Sequence, residues 1–231
     1  MTTSPIASMF DRISPKYDRL NHLLSFNIDK TWRRKTAKIV VKSQPKTILD
    51  LAAGTADLTI ELAKHNPQAY IIGMDISEKM LEIGKKKVRC QNLESQIELR
   101  LGDAASLPFE DARFDTVTVA FGVRNFEDLE KGLSEISRVI KSGGQVCILE
   151  FSMPESFPVK QLYRFYFKHL LPFIGRLVSK DKSAYSYLPQ SVESFFKQED
   201  FCKLLTSFNL KIHQVKRLTF GICTLFITSK A

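Results

Sequence analysis

The residues best placed to do chemistry in the first half of the chain fall at the ends of short apolar runs. Ile48, Leu49 and Leu51 lead into Ala52-Ala53-Gly54-Thr55-Ala56-Asp57, after which Leu58, Leu62 and Ala63 repeat at helical spacing. An apolar strand, a small-residue turn and a helix start form the first half of a nucleotide-binding βαβ unit. Gly54 and its alanine neighbours let backbone amides approach a ligand that bulkier side chains would keep away. The helix start adds unpaired N–H donors and a positive dipole end. About 20 residues further on, the run Ala69 to Met74 ends at Asp75, where a carboxylate can accept from both hydroxyls of a ribose. A third run, Gln96 to Leu101, ends at Gly102-Asp103-Ala104, and Asp103 can accept from the exocyclic amine of a base. Three neighbouring strand tips thus describe a crevice shaped for adenosine; the competing explanation is three ordinary helix caps.

The turn also excludes something. A dinucleotide fingerprint wants glycines spaced G-x-G-x-x-G, and here Ala52 and Ala56 flank the single Gly54. That pattern favours a nucleoside without a pyrophosphate and disfavours an NAD dehydrogenase. A further candidate stands downstream. Phe114 to Phe121 reads as a buried central strand that runs into Gly122-Val123-Arg124-Asn125-Phe126. Arg124 is therefore expected at the carboxyl end of a central strand, where open α/β sheets place chemistry. Its alternative role is an ion pair that holds the loop.

The elements that must position these residues make one α/β domain over 1–231, with an N-terminal helical cap over 1–43 and a helical insertion over 154–190. With 44% hydrophobic and 26% charged residues, the chain can bury a full core and remain soluble. Four cysteines without CxxC spacing indicate neither zinc nor a disulfide framework, and Cys147 and Cys223 sit in apolar strand patterns. No basic-then-apolar leader and no membrane-length apolar run is seen, so a reducing, cytoplasmic setting is expected. The net charge of +9 favours an anionic partner, nucleic acid or anionic lipid, without choosing between them. Arg33-Arg34-Lys35-Lys38 and Lys85-Lys86-Lys87-Arg89 read as solvated helix faces. The four histidines are too dispersed for a metal ligand set, and no metal is expected.

Residues 7–43 read as two helices broken at Ser25-Phe26-Asn27, with Tyr17, Leu20, Leu24 and Ile28 near one face. They are expected to roof the crevice, the alternative being a helix laid on the sheet's flank. Ser77 is the expected N-cap of a helix to Cys90. Another helix carries Leu129, Leu133, Ile136, Val139 and Ile140 and stops at Ser142-Gly143-Gly144, before a strand from Gln145 to Glu150. In the insertion, Val159, Leu162, Tyr163, Tyr166, Leu170 and Leu171 form an apolar face, with Lys160, Arg164 and Lys168 on another. Such a segment lies in a membrane interface or closes the pocket as a lid; Pro172 argues against one unbroken helix. Glu193 to Phe208 supplies a last helix, and Leu210–Val215 with Ile222–Thr228 an antiparallel closing hairpin.

Several blocks together resemble the UbiE/MenG family of S-adenosylmethionine-dependent methyltransferases. Tyr17-Asp18 with Asn21, Ser25 and Trp32 matches its N-terminal signature. Arg138-Val139-Ile140-Lys141, Gly143-Gly144, Leu149-Glu150 and Ser152 match the second. Phe121-Gly122-Val123-Arg124-Asn125 and Tyr185-Ser186-Tyr187-Leu188-Pro189-Gln190-Ser191-Val192 are similar to further family blocks. The likeness runs from Met9 to nearly the end. Asp29 stands where the family has histidine, Asn27 where it has glycine, and Ser142 where it has proline. Ala120 occupies a position that is a cofactor-contacting serine in some members.

The resemblance implies a Rossmann-like class I methyltransferase fold: a mostly parallel seven-stranded sheet with an antiparallel last strand and helices on both faces. It implies S-adenosyl-L-methionine as cofactor, with Thr55, Asp75, Asp103 and Ala104 as contacts; Asp50 and Gly54, at the end of the first strand and in its turn, complete the expected cofactor-binding set. It further implies C-methylation of demethylmenaquinol to menaquinol, with a polyprenyl methoxy-benzoquinol as the alternative substrate; a nucleic-acid methyltransferase is a further reading that rests on net charge alone, with basic residues spread along the chain and no recognition motif. A catalytically silent nucleoside-binding protein is disfavoured by the intact Asp75, Asp103 and Arg124. Arg124 would stabilise the phenolate of the substrate, because a guanidinium holds its proton, while Asn125 and Tyr17 would orient ring oxygens. The proton acceptor stays open among water, His22 and a carboxylate such as Asp18. The expected partners are the polyprenyl quinol and, peripherally, membrane lipid, with no nucleic acid; a homodimer stays open.

Overall fold

The computed structural model describes residues 4–166 and 182–231. Seven strands form one sheet in the order β3-β2-β1-β4-β5-β7-β6. They are β1 (Thr47–Leu51), β2 (Tyr70–Asp75), β3 (Ile97–Leu101), β4 (Phe114–Ala120), β5 (Ile140–Phe151), β6 (Leu210–Leu218) and β7 (Cys223–Lys230). Neighbours from β3 to β5 pair in parallel, while β7 runs antiparallel to both β5 and β6. The expected fold is therefore observed, with β7 inserted one place in from the edge.

Pleating sends alternate residues of the central strands to opposite faces. Ile48 and Ile71 pack into a core with Trp32, Leu58 and Leu62, whereas Leu49, Leu51 and Ile72 pack with Leu133, Ile136 and Phe201 on the other side. Burial on both faces explains why these strands read as near-continuous apolar runs.

The N-terminal segment folds as α1 (Pro5–Leu24) and α2 (Ile28–Val40). They break where expected, because Phe26 and Asn27 take left-handed backbone angles of φ 51° and 60°. Downstream come α3 (Asp57–His65) and α4 (Glu78–Cys90), the latter capped by Ser77, whose hydroxyl accepts from the Met80 N–H.

Two boundaries differ from expectation. After α5 (Leu129–Val139), β5 begins at once with Ile140 paired to Phe114. Pairing then jumps to Gln145 opposite Thr116, so Lys141 to Gly144 are looped out and Gly143 takes φ +72°. Strand pairing outweighs the helix-stop signal that Ser142-Gly143-Gly144 carries. The single helix expected from Glu193 to Phe208 is two: α7 (Lys182–Ser194) follows the shorter α6 (Val159–Phe165), and α8 (Gln198–Ser207) starts after a break at 195–197. Phe195 and Phe196 both pack against Phe201, an aromatic cluster that holds the break without glycine or proline. Lys168, Leu170, Leu171, Pro172 and Lys180 lie outside the described residues. Among the described residues no helix is long and apolar enough to cross a membrane.

Candidate active site

Two cavities adjoin at the carboxyl ends of the parallel strands. The first is lined by Gly54, Asp75, Asp103, Ala104 and Asn125 among others; the second is lined by Arg124, Arg33, Trp32 and several aromatic rings. Phe10, Tyr17 and Phe121 belong to both walls. Ile6, Phe10 and Tyr17 bring α1 across the first cavity.

The β1 turn closes tightly because Ala52 and Ala56 accept left-handed angles of φ 52° and 65°. Gly54, at φ +55°, would point a Cβ at nothing within 4 Å. Its N–H donates to Asp75 Oδ2 at 2.7 Å, and Ser77 N–H donates to Oδ1 at 2.8 Å. Asp75 is 8% exposed. Burial pushes its carboxyl up to about 6, against the pull of those backbone donors; further donors from a diol would favour the charged form. Asp103 stands exposed at the β3 tip, its Oδ1 accepting from Ala105 N–H at 2.9 Å. Between the two carboxylates the wall is Ile76, Met80, Ala104 and Phe126. Apolar sides suited to a flat base, with acceptors for a ribose and an amine at the tips, fit an adenosine cofactor.

Asp50 and Thr55 stand back from this wall. Asp50 is 1% exposed beneath the turn, receiving Thr59 Oγ1 at 2.6 Å and Thr118 Oγ1 at 2.7 Å. Burial raises its carboxyl to about 6 as well. Thr55 Oγ1 donates to Asp18 at 2.6 Å and receives Lys87 Nζ at 3.2 Å, so its hydroxyl serves the α1–α4 contact. Both hold the turn from behind.

In the second cavity, Arg124 Nη1 donates to Phe121 O and to Glu150 Oε1, each at 2.5 Å. Its Nε donates to Ser191 Oγ at 3.3 Å, and its guanidinium lies 5.4 Å from the centre of the Phe151 ring. Tyr17 stands between the cavities. Burial raises its hydroxyl above the usual range, while the Arg33 and Arg124 guanidiniums and an Asn21 hydrogen bond pull the other way. Asn125 faces the first cavity, and its Oδ1 accepts from the Tyr187 hydroxyl at 2.8 Å. Tyr187 itself lines the second, so this bond links the two walls.

Arg33, expected on a solvated face, is buried and pairs with Asp29. Its neighbours Arg34, Lys35 and Lys38 are exposed as expected. Asp29 also receives Ser25 Oγ at 2.5 Å and bonds to His22 Nδ1 at 2.8 Å. Burial works against its charge, but Arg33, Ser25 and His22 together hold the carboxyl below its usual range. The fold brings His22, Asp29 and Asp57 together, with donor atoms within 4.8 Å of one another. Arg33 and Lys87 already engage the two carboxylates, so the group is an ion-pair network joining α1 to α2, α3 and α4. Nothing in the sequence pattern around Glu150, at the end of an apolar strand, or Tyr187, in a family block, marks either as a partner of the site. The partnerships that give them meaning, with Arg124 and Asn125, cross 26 and 62 residues of chain.

Residues 2–230 match the sequence model of the ubiE/COQ5 methyltransferase family. The demethylmenaquinone methyltransferase of Bacteroides fragilis is 48% identical over 97% of this chain and 92% of its own. That of Thermus thermophilus is 42% identical over 95% and 98%. The ubiquinone/menaquinone biosynthesis C-methyltransferase UbiE of Geotalea uraniireducens is 43% identical over 97% and 96%. Among solved structures, a SAM-dependent methyltransferase from Aquifex aeolicus superposes with a TM-score of 0.62 at 16% identity, covering 84% of this chain and 89% of its own. The [4+2]-cyclase SpnF superposes at 0.64 with 15% identity, covering 85% and 81%. These two show the fold alone, and their differing chemistries illustrate that fold does not set reaction. The near-full-length sequence matches carry the assignment: the chain belongs to the ubiE/COQ5 methyltransferase family.

Proposed function

We propose that this protein methylates a ring carbon of demethylmenaquinol to give menaquinol, with S-adenosylmethionine in the first cavity and the quinol ring in the second. The observation that carries the reading is the junction itself: a nucleoside-shaped cavity meets an aromatic-lined one at Tyr17 and Phe121, with a buried guanidinium in the second wall. The names of the relatives in Bacteroides fragilis and Thermus thermophilus support the menaquinone branch.

S-adenosylmethionine supplies a methyl group already activated by its sulfonium. The chain's own residues hold and align. Asp75 accepts from the ribose hydroxyls, Asp103 from the adenine amine, and Gly54 and Ala104 admit close approach. Asp50 and Thr55 keep the turn in register. Proximity of this kind is worth roughly 7–11 kcal/mol of barrier. A phenol ring carbon becomes strongly nucleophilic once the neighbouring hydroxyl passes its proton to water, and Arg124 stabilises that oxyanion without giving up its own proton; the hydrogen on the methylated carbon then leaves as a proton, which restores the aromatic ring. Tyr17 orients the ring at the junction, and Asn125, fixed by Tyr187, orients it from the cofactor side.

A polyprenyl benzoquinol is the second reading, favoured by the name of the Geotalea uraniireducens relative. A nucleic-acid substrate fits poorly, because the second cavity is walled mostly by apolar and aromatic side chains, and its two arginines are paired with carboxylates instead of forming a basic stacking groove. A bilayer-embedded isoprenoid tail asks for peripheral contact with lipid. Leu162 and Phe165 on α6 are 66% and 64% exposed, and Tyr166 ties that segment to Leu24 O, beside the exposed Leu23 and Phe26. Such apolar side chains can enter a membrane interface, with Lys160 and Arg164 nearby. Labelled S-adenosylmethionine offered with short-chain demethylmenaquinol, a benzoquinol or RNA tests the proposal; label in RNA alone would overturn it.

A further inference from the structure

Arg33 shares the wall of the second cavity with Arg124, and the two are similarly housed. Each is paired with a buried carboxylate, Asp29 for Arg33 and Glu150 for Arg124. Each lies over an aromatic ring, Arg33 at 5.1 Å from the centre of Phe121 and Arg124 at 5.4 Å from that of Phe151. The two rings are themselves 4.4 Å apart and inclined by 30°. Contacts therefore run in a row from Arg33 through Phe121 and Phe151 to Arg124, and the cavity holds two guanidinium stations rather than one.

The stations differ in one respect. Glu150 does not line the cavity, whereas Asp29 does. At the Arg33 station, donor and acceptor face the cavity together. A guanidinium has five N–H donors, and among the described residues Arg33 spends one hydrogen bond, on Asp29. Asp29 is held by Ser25, which shares the cavity wall, and by His22, which does not, so its direction is fixed before any ligand arrives. A buried pair with capacity to spare wants a partner that both accepts and donates.

We propose that Arg33 and Asp29 form the subsite for the second hydroxyl of a para-dihydroxylated ring, Arg33 donating to its oxygen and Asp29 accepting from its hydrogen. This rests on the quinol reading given above. The hydroxyl next to the reacting carbon belongs to Arg124, and the one para to it across the ring belongs to Arg33 and Asp29. A hydroxyl satisfies both members of the pair. An oxidised carbonyl satisfies Arg33 but sets a second acceptor against Asp29, and a bare C–H leaves both unmet. The subsite therefore selects the reduced, doubly hydroxylated ring.

The test compares short-chain demethylmenaquinol, held reduced, with an analogue in which the hydroxyl beside the prenyl-bearing carbon is replaced by hydrogen. That hydroxyl is meta to the reacting carbon, so its loss changes the carbon's nucleophilicity little. Wild-type protein should favour the diol in kcat/KM by roughly 30-fold, chiefly through KM. Asp29→Asn, which keeps an oxygen for Arg33, and Arg33→Lys, which keeps a charge against Asp29, should each remove most of that preference. S-adenosylmethionine binding by calorimetry should be unchanged in both. Equal use of the two compounds by wild type would overturn the subsite. So would folded variants that lose turnover on both compounds by the same factor, as a purely structural ion pair would. Absence of methyl transfer to either compound by wild type would instead sink the quinol reading, and this subsite with it.

Discussion

Arg124 is gripped twice by Glu150: its Nη1 donates to Oε1 at 2.5 Å, and its backbone N–H reaches Oε2 at 3.3 Å. One bond orients the guanidinium and the other pins the loop that carries it. Glu150 is 1% exposed, so removing Arg124 alone strands a buried charge, at a cost of about 3–5 kcal/mol. The informative change is the double variant Arg124→Met with Glu150→Gln. It should fold and bind S-adenosylmethionine normally yet lower kcat by roughly 10²–10³-fold. Near-wild-type turnover in the folded double variant would leave Arg124 only its loop-holding role.

Asp50 predicts a pH dependence of stability. Its folded carboxyl is raised by burial to about 6, from an ordinary value of 3.8. The folded state therefore holds this proton more tightly than the unfolded one, and stability from this group falls as pH rises from about 4 to about 6. Asp50→Asn removes that loss, since the amide can bond both threonine hydroxyls. At pH 8 the variant should be more stable by up to about 3 kcal/mol, with the advantage vanishing near pH 4. Denaturant melts run in parallel at both pH values would contradict it.

Gly122 permits the close approach of the β4 end to the β1 turn. A Cβ there would sit 2.2 Å from Ala52 Cβ, which cannot move without shifting the turn. Gly122→Ala should cost about 1–3 kcal/mol and weaken cofactor binding in the same protein. A lowered Tm with unaltered calorimetric binding would show that the turn tolerates displacement.

Asp11 ties α1 to the start of α4, accepting from Ser77 Oγ at 2.6 Å and Lys79 N–H at 3.3 Å. Asp11→Ala removes about 1 kcal/mol of that tie and should speed cofactor release about fivefold, as read by stopped flow. An unchanged release rate would show that this tie does not limit cofactor release.

The strand tips were legible because their signals are local. Gly54, Asp75 and Asp103 each end an apolar run, and the parallel sheet brings those ends side by side. Asp50 lies in β1 and Thr55 in the turn that follows it, and a strand buried on both faces gives no sign of which way a side chain points. Only the positions of Thr59 and Thr118 reveal that Asp50 looks away from the cavity. Arg33 was illegible for a related reason. Its basic neighbours hide it, although Asp29 four residues earlier is a helical pairing distance, and only burial distinguishes it from Arg34. Glu150 and Tyr187 acquire partners through the fold rather than through spacing. The break between α7 and α8 left no trace because packing of Phe195 and Phe196 on Phe201, not a breaker residue, produces it.

Phe10 and Tyr17 come from one helix and wall both chambers. With the two reactants placed as proposed, any shift of α1 moves a wall of both chambers at once. On that placement, filling one room is expected to change how readily the other gives up its occupant.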